Sequence, residues 1–502
     1  MAGIGFELKR LFAKKGIIAT TRAYGYAGLV CAGPMLLGVA LILGVIYLAH
    51  SSGIPRDQRE LLVAMITYAL LASLMVTSAF SMITTRYISD MIYTGQREKI
   101  MPSFYGSCLL MLVLGGLAYG IFLCFSGVYL TYKVLSIILF MTLIITWTEI
   151  NYLTAIKDYK NIFLVFILSI LLTFTVGYLL ITFTDLPVVS TLLASVCIGY
   201  GVMSVLYFAL IYKYFPEGFG TSMNFLRWIE KFPSLIGIGF FNTIGLFGHL
   251  VIMWSSPLGV QIKGLFYGAP EYDISALMAF FSILVTTISF ITSVETKFYP
   301  HYRNYFSLFN EGGCISDIEV AESNMLSTLQ NELSYLAQKQ AFISVLFIVV
   351  GSLLLPRMQF GFSSDMLGIY RMLCVGYAFY AIGNSIMLVL LYFADNKGAI
   401  LTTLLFAIVT NIVTFLLKEL NAVFYGLGFI VGSAVFCLYA LWRLDKYLYK
   451  LKYHVLGEQP VFATNTDGLI TMLCDKLETR ARKKQSARRQ DYLGRMEKHE
   501  ET

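Results

Sequence analysis

Long apolar segments alternate with short polar gaps from Tyr24 to about Trp442. A run of about 20 apolar residues crosses the hydrocarbon core of a bilayer as a helix, because a helix satisfies its own backbone hydrogen bonds without water. We therefore expect an all-α integral membrane protein of about twelve transmembrane helices. The predicted spans are residues 24–48, 61–85, 102–126, 134–156, 162–184, 188–212, 233–254, 273–297, 339–355, 366–393, 399–417 and 420–442.

The distribution of Lys and Arg orients these spans. With the N-terminus inside, 30 of the 37 cations fall on the cytosolic side and one, Arg371, lies within a span. The outer gaps hold only Arg56, Arg59, Lys133, Lys263, Arg357 and Lys418. Cytosolic loops carry the Lys and Arg excess, so both termini are predicted to be cytosolic. The net charge of +7 then indicates a membrane surface and no nucleic-acid partner.

Composition and motifs argue against an enzyme. Of 502 residues, 57% are hydrophobic and 13% are charged, whereas soluble domains have about 25% charged residues. There is no Walker A motif, no GxGxxG opening a soluble βαβ unit and no HExxH, and the outer gaps are short. The eight Cys are scattered without a CxxC, which disfavours disulfides and a zinc site. We expect no cofactor and no metal.

The two halves of the chain resemble each other. The second span ends at Arg86 and the eighth near Lys297, each beside an aromatic residue. The fourth and tenth spans are followed by Asp158 and Asp395, each with a Lys two residues later. Six spans per half make the halves parallel repeats, which suits two lobes around a central cleft. The alternative is that such residues collect at every membrane interface. The predicted lobes are residues 23–215 and 216–445.

Three segments are predicted to lie outside the spans, on the cytosolic side. Residues 1–22 have the pattern of a basic amphipathic helix at the interface, or simply of a topology anchor. Residues 298–338 form an acidic amphipathic insertion that either docks a soluble partner or packs on the protein itself. Residues 446–502 form a basic tail, for which anionic membrane lipid is the first expected partner.

Polar groups within spans are costly and usually functional. The transport-path candidates are Glu149, Asn151, Asn242, His249, Arg371 and Asn384. Glu149 is the deepest acid and the first choice for a group that binds a proton, a cation or a polar substrate. An equally weighted alternative is an ion pair between Glu149 and Arg371 that only holds the lobes together. His249 is more simply explained as a satisfied histidine, and Glu295 as an acid that reaches the interface.

Several motifs resemble those of a known family. They are Met1-Ala-Gly-Ile-Gly-Phe-Glu-Leu, Ala23-Tyr-Gly-Tyr-Ala-Gly, Thr85-Arg-Tyr-Ile-Ser-Asp90, Ala155-Ile-Lys-Asp-Tyr159, Val294-Glu-Thr-Lys-Phe298 and Leu391-Tyr-Phe-Ala-Asp395. Their order over residues 1 to about 462 is similar to that of the PelG family of Pel exopolysaccharide transporters. The tail beyond about residue 464 lies outside this resemblance.

The resemblance implies a bacterial inner-membrane protein of the superfamily that contains multidrug exporters and oligosaccharide flippases. It implies export of Pel, a polymer rich in N-acetylgalactosamine and galactosamine, during biofilm formation. The implied partners are the cytosolic Pel glycosyltransferase and the membrane proteins PelD and PelE. The family motifs contain or adjoin the candidates for a cytosolic polymer entrance, which are Arg86, Asp90, Asp158, Glu295, Lys297 and Asp395.

The leading hypothesis is thus an exporter that passes a growing polysaccharide through the cleft between two lobes. The second is a flippase for a lipid-linked saccharide that works by alternating access. A third is a membrane scaffold that anchors the synthase without transport, and an integral-membrane enzyme ranks last.

Overall fold

A computed structural model describes residues 28, 36–156, 159–215, 218, 222–357, 362–457, 468–476 and 478–480. The predicted segment 1–22 and Asp158 lie outside these residues. The predicted orientation, with both termini in the cytosol, defines the cytosolic and outer ends named below.

Within the described residues, the first half contains six long apolar helices. Pro55 and Pro187 immediately precede two of them, at a position where a missing backbone N–H costs nothing. The helices are α1 (Leu36–Ser51), α2 (Arg56–Tyr93), α3 (Ile100–Phe125), α4 (Leu130–Ile156), α5 (Tyr159–Phe183) and α6 (Val188–Tyr214).

In the described part of the second half, a short helix lies in the predicted cytosolic gap before the seventh span, and a small antiparallel β-hairpin lies in an outer gap. That hairpin was not anticipated from the sequence. The elements are α7 (Arg227–Lys231), α8 (Ser234–Met253), β1 (Val260–Lys263), β2 (Phe266–Gly268), α9 (Pro270–Phe280), α10 (Leu284–Ser293), α11 (Tyr299–Glu311), α12 (Ile315–Leu354), α13 (Ser364–Tyr392), α14 (Asn396–Leu417), α15 (Leu427–Tyr449) and α16 (Leu451–Gly457).

The prediction of an all-helical multispan membrane protein is confirmed. Among the described residues, 11 helices are long and apolar enough to cross a membrane. Each coincides with one of the predicted spans two to twelve. The shorter apolar helix α1 covers part of the first predicted span.

The segment 298–338 is not a separate inserted helix. Helix α11 extends the eighth span to Glu311, and Gly312 then turns the chain in a left-handed conformation at φ 76°. Helix α12 then runs for 40 residues and joins the rest of the segment to the predicted ninth span. The apolar face of this amphipathic segment, which includes the leucines at helical spacing, is partly internal, because Leu329 and Leu336 are buried. Packing of α12 against α11 and α13 accounts for that face within the protein itself.

The packing of the described helices repeats from one half to the other. In the first half α2 and α3 pack on α4, and α4 and α5 pack on α6. In the second half the eighth span and α12 pack on α13, and α13 and α14 pack on α15. In the second half α8 packs on α14. The matching helices of the first half, α1 and α5, also meet, at Gly44 and Phe174. This is the pattern that the predicted parallel repeat of six helices would produce.

Candidate functional site at the junction of the two halves

The two halves meet along α2 and α8, and this seam is aromatic at its outer end. The Tyr68 ring stacks on Trp254 with ring centroids 4.7 Å apart. The Tyr68 hydroxyl donates to the carbonyl of Tyr267 and accepts from its N–H, both at 3.1 Å. Helix α2 is thereby bonded to the β-hairpin of the second half.

In the middle of the seam the two backbones are in direct contact at Gly239. A Cβ atom at Gly239 would lie 2.1 Å from the carbonyl oxygen of Ser78 in α2, well inside van der Waals distance. Helices approach this closely in membranes only where a small residue leaves room. The absence of a side chain at position 239 therefore sets the spacing of the halves.

We expect Gly239→Ala to force α2 and α8 apart and to destabilise the protein by about 1–3 kcal/mol, the usual cost of overpacking. The measurement is the thermal unfolding midpoint of the purified protein in detergent. Gly120→Ala is the matched control, because a Cβ at Gly120 meets nothing within 4 Å. Equal midpoints for the two variants would contradict the role assigned to Gly239.

The cytosolic end of the seam brings two predicted entrance residues together. The Trp228 indole Nε1 donates to Asp90 Oδ2 at 2.7 Å, and Arg86 forms an ion pair with Asp90 at 3.3 Å. The Arg86 guanidinium lies 5.3 Å from the centre of the Phe232 ring, in cation–π geometry. Arg86 and Asp90 come from α2, whereas Trp228 and Phe232 come from the connector, defined here as residues 222–233 between α6 and α8. Sequence analysis did not select either connector aromatic.

The eighth span, α9 to α11, is interrupted twice. A 3₁₀ turn, Phe281–Ile283, separates α9 from α10, and a π-helical segment, Val294–Phe298, separates α10 from α11. Such interruptions within a helix often mark hinges or functional sites. The π segment coincides with the Val294-Glu-Thr-Lys-Phe298 motif. Glu295 is buried there, whereas Lys297 is exposed and pairs with Glu332 of α12 at 2.5 Å.

From the pair of Lys297 and Glu332 toward the membrane interior, a row of hydrogen-bonded polar side chains lies between α10 and α12. Glu332 also accepts from Ser293, and Lys339 donates to Ser289 at 2.6 Å. Farther into the membrane, Thr286 bonds to Gln340, and Gln340 donates to Ser344. Sequence analysis missed this row, because Lys339 and Gln340 look like the polar edge of the ninth span until α10 is placed beside them.

Glu149 lies in α4 with only 1% of its surface exposed. Its Oε1 accepts from the Ser204 hydroxyl at 3.1 Å, and its Oε2 has no hydrogen-bond partner among the described residues. It faces a cavity of about 290 Å³ between α3, α4 and α6. The other lining residues are mainly apolar: Phe104, Cys108, Leu112, Ile145, Ser204, Val205 and Phe208. Because none of them comes from α2 or α8, the cavity lies on a flank of the first half and not on the seam.

The proposed pairing of Glu149 with Arg371 is wrong. Arg371 is exposed on α13 and donates through Nε to Ser352 at 2.9 Å, whereas Glu149 is bonded within the first half. Helix α4 packs within the first half and α13 packs within the second. The order of the spans along the sequence does not show which helices lie next to each other. His249 is fully buried, and its Nδ1 hydrogen-bonds to the Tyr272 hydroxyl at 2.8 Å. Its Nε2 has no hydrogen-bond partner among the described residues, so the expectation of a satisfied histidine holds for one ring nitrogen only.

The remaining candidates lie on several helices. Asn242 and Asn384 are half-buried on α8 and α13, and Asn151 is half-buried on α4. Asp395 caps the N-terminus of α14 and forms a bidentate ion pair with Arg443 of α15, at 2.6 and 2.8 Å. Within the described ranges, no group of three His, Cys, Asp or Glu residues is placed to hold a metal ion.

The connector also binds a helical segment of the C-terminal region. Residues 469–476 and 478–480 are helical and are called the tail helix here. The Glu230 carboxylate accepts from the N–H groups of Ile470 and Thr471, at 2.7 and 3.0 Å, and so caps this helix. Arg227 donates to Asp475 and Glu478 at 2.6 and 2.8 Å. The tail helix is thereby linked through the connector to α2.

Glu230→Ala should release the tail helix, because it removes the acceptor of three hydrogen bonds. Amide hydrogen exchange of residues 468–480 should then quicken at least tenfold, while exchange in Asp317→Ala, which removes another cytosolic acid, stays unchanged. Hydrogen bonds to the Glu230 carboxylate lower its pKa, and the largest contribution comes from the Thr471 hydroxyl. Their stabilisation is therefore complete above the ordinary Glu pKa of about 4.3 and is lost as the pH falls through the lower folded value. Slow exchange in the alanine variant at pH 7 would contradict this docking.

In the part of the chain that the structure describes, long apolar helices packed in two similar groups with a close seam define a polytopic membrane protein. The same fold occurs in solved transporters of the MOP superfamily. An outward-facing multidrug resistance MATE family transporter matches with a TM-score of 0.56 and 13% identity, over 85% of this chain and 96% of that one. A MOP superfamily transporter from Pyrococcus furiosus, whose binding pocket is described as having reverse polarity, matches with a TM-score of 0.53, 13% identity and the same coverage. An inward-facing MATE transporter matches with a TM-score of 0.53 and 13% identity, over 84% of this chain and 99% of that one.

At the level of sequence, residues 1–456 match the family model for PelG, described as "Putative exopolysaccharide Exporter (EPS-E)". The chain belongs to the PelG family. No curated protein matches it. The family resemblance seen in the motifs is confirmed, and both family and fold are those of transporters and not of enzymes.

Proposed function

We propose that this protein exports a Pel-like amino-sugar polysaccharide across the bacterial cytoplasmic membrane, in step with its synthesis by a cytosolic glycosyltransferase. The observation that carries the proposal is the seam between two similar six-helix groups, in a chain that belongs to an exopolysaccharide exporter family. A path between the groups is the natural route for a polymer, because it can open without breaking either helix bundle.

The chemistry at the cytosolic end of the seam suits an amino sugar. Arg86 lies over the Phe232 ring and Lys231 over the Trp228 ring. A sugar ring that displaced these cations would stack its C–H face on the aromatic rings, and Asp90 would offer a carboxylate to a protonated amine. Asp90 is already paired with Arg86, which is about half exposed and so can release it. We infer that a cationic sugar would compete with Arg86 for Asp90 as the polymer enters.

A flippase for a lipid-linked saccharide is the second candidate. The specific observation in its favour is the doubly interrupted eighth span, since a 3₁₀ turn and a π segment are places where a helix can bend. Alternating access needs such bending, whereas a sustained polymer conduit does not. The two candidates therefore differ in whether transport stops when the eighth span is held rigid.

Assembly with the glycosyltransferase and with PelD and PelE forms part of the proposal. The cytosolic part of α12 exposes acidic side chains, including Asp317 and Glu319, where a basic surface could dock. The glycosyltransferase would then release its polymer directly below the seam. A non-transporting scaffold remains the third alternative and predicts docking without export.

The deciding experiment is reconstitution of the protein with its cognate glycosyltransferase in vesicles whose cytosolic face points outward. Labelled polymer should become resistant to an added glycoside hydrolase, because it enters the vesicle lumen. Detergent should restore its digestion. Polymer that stays fully digestible while the complex remains intact would leave only the scaffold hypothesis. Product that extracts into organic solvent as a lipid-linked saccharide would favour the flippase.

A further inference from the structure

The tail helix has two faces of opposite chemistry. The face toward the connector carries Thr471, Cys474, Asp475 and Glu478, which are bonded to connector residues. The other face exposes Leu469, Met472 and Leu473, at 81%, 54% and 59% of their surfaces. Lys476 and Arg480 continue that second face, because positions three, four, seven and eleven residues apart lie on one side of a helix.

The docking site of this helix lies at the level of the membrane interface. The Ser222 backbone packs directly against Gly106, six residues into α3, and Trp228 bonds to Asp90, three residues before the end of α2. Six residues of helix correspond to about 9 Å. The connector is therefore set among the cytosolic ends of the spans and not out in the cytosol. A helix docked on it is held near the depth of the lipid headgroups.

The cytosolic end of the last span carries the residues that are typical of a membrane interface. Trp442, Tyr449 and Tyr453 are exposed near the cytosolic end of the last span. Lys446 lies 5.0 Å from the centre of the Trp442 ring. Exposed Trp and Tyr beside Lys mark the boundary between lipid and water. The cytosolic end of the last span thus lies at the same boundary.

We propose that the exposed face of the tail helix binds the anionic cytosolic leaflet of the surrounding membrane. Leu469, Met472 and Leu473 enter the boundary between headgroups and acyl chains, and Lys476 and Arg480 contact lipid phosphates. An apolar stripe flanked by cations is the pattern of a helix lying in the interface. Further cations follow in the sequence at Arg482, Lys483, Lys484, Arg488 and Arg489, and each cation near an anionic surface strengthens the attachment.

Because the tail helix is docked on the connector, its attachment to the membrane would affect the segment that joins the two halves. The family match ends at residue 456, so the tail helix is an element outside the part of the chain shared with the family. One face of the tail helix binds Glu230 and Arg227 of the connector, and the other face binds the leaflet. Lipid composition would therefore act on the segment that joins the two halves. This inference does not depend on which substrate is transported.

The test places a tryptophan in the exposed face of the full-length chain, as Leu473→Trp and, separately, as Met472→Trp. The proteins are reconstituted in vesicles of phosphatidylglycerol and brominated phosphatidylcholine, in which bromine quenches tryptophan at the acyl boundary. The emission added to that of the four native Trp should fall at least twofold. Val320→Trp is the matched control: it adds a Trp at an exposed apolar position on the cytosolic part of α12, and its emission should stay unquenched.

Replacing phosphatidylglycerol by a zwitterionic lipid, or raising the salt concentration, should weaken the quenching, because attraction to anionic headgroups is screened by salt. Added emission that is as unquenched at positions 472 and 473 as at 320 would overturn the proposal. So would emission that responds only when the cytosolic glycosyltransferase is added, because that result would assign this face to a protein partner.

Discussion

Export should fall at least tenfold when Glu149 is replaced by glutamine, while the amount of protein in the membrane stays unchanged. Glutamine has nearly the same shape as glutamate and can still accept the hydrogen bond from Ser204. It cannot gain or lose a charge. The measurement is the quantity of polymer that reaches the vesicle lumen in the reconstituted system, per unit of protein.

The physical reason lies in the surroundings of this carboxyl group. One oxygen is bonded to Ser204 and the other faces a mainly apolar cavity. An ionised carboxylate in such a place is costly unless a proton or a cation accompanies it. A group whose charge depends on what enters the cavity is suited to coupling ion movement to a change in shape. A purely structural Glu149 would instead tolerate the amide well, since the amide is easier to bury.

Glu419→Gln is the matched control, because it makes the same chemical change at an exposed acid near the outer end of α14. That variant should export normally. Full export by the Glu149 variant would remove this residue from the transport mechanism and leave the seam as the main functional element.

The second large effect is expected at the ion pair between Asp395 and Arg443. Arg443→Ala should destabilise the second half by about 3–5 kcal/mol, because loss of one partner leaves a buried charge uncompensated. Asp395 is 5% exposed and receives two hydrogen bonds from Arg443 and one from the N–H of Gly398. The pair joins the start of α14 to α15. The expected results are a lower unfolding midpoint in detergent and less protein in the membrane.

Arg371→Ala serves as the comparison, because Arg371 is an exposed arginine in the same half that donates a hydrogen bond to the Ser352 hydroxyl and forms no ion pair with a described residue. It should change the midpoint little. The double variant Asp395→Asn with Arg443→Gln should recover part of the lost stability, since it removes both charges together. If Arg443→Ala and Arg371→Ala behaved alike, Asp395 would have to be stabilised by other groups.

The spans could be predicted from the sequence because the condition for a membrane-spanning helix concerns only contiguous residues. Each apolar run must satisfy its backbone hydrogen bonds as a helix, whatever its neighbours are. The eighth and ninth spans extend farther than predicted, because α11 continues as an amphipathic helix after the eighth span and α12 begins as one well before the ninth. The π segment at Val294–Phe298 was not predictable either, since one additional residue in a helical turn leaves no mark in hydropathy.

The site was predicted in part. Family motifs selected Arg86, Asp90 and Asp395, but not their partners Trp228 and Arg443, which lie 138 and 48 residues away in the sequence. Glu149 was selected for its depth alone. Its assignment to Arg371 failed, because two charges in different spans give no indication of whether their helices face each other.

The sequence by itself determined the class of protein, the positions of nearly all the spans and the family, because hydropathy and short motifs are properties of contiguous residues. Only the tertiary structure decided which helices meet. It placed Gly239 against Ser78, Glu149 beside a flank cavity and the tail helix on the connector. These contacts depend on the rotation of each helix about its own axis and on packing between residues far apart in the chain, which a one-dimensional pattern does not encode.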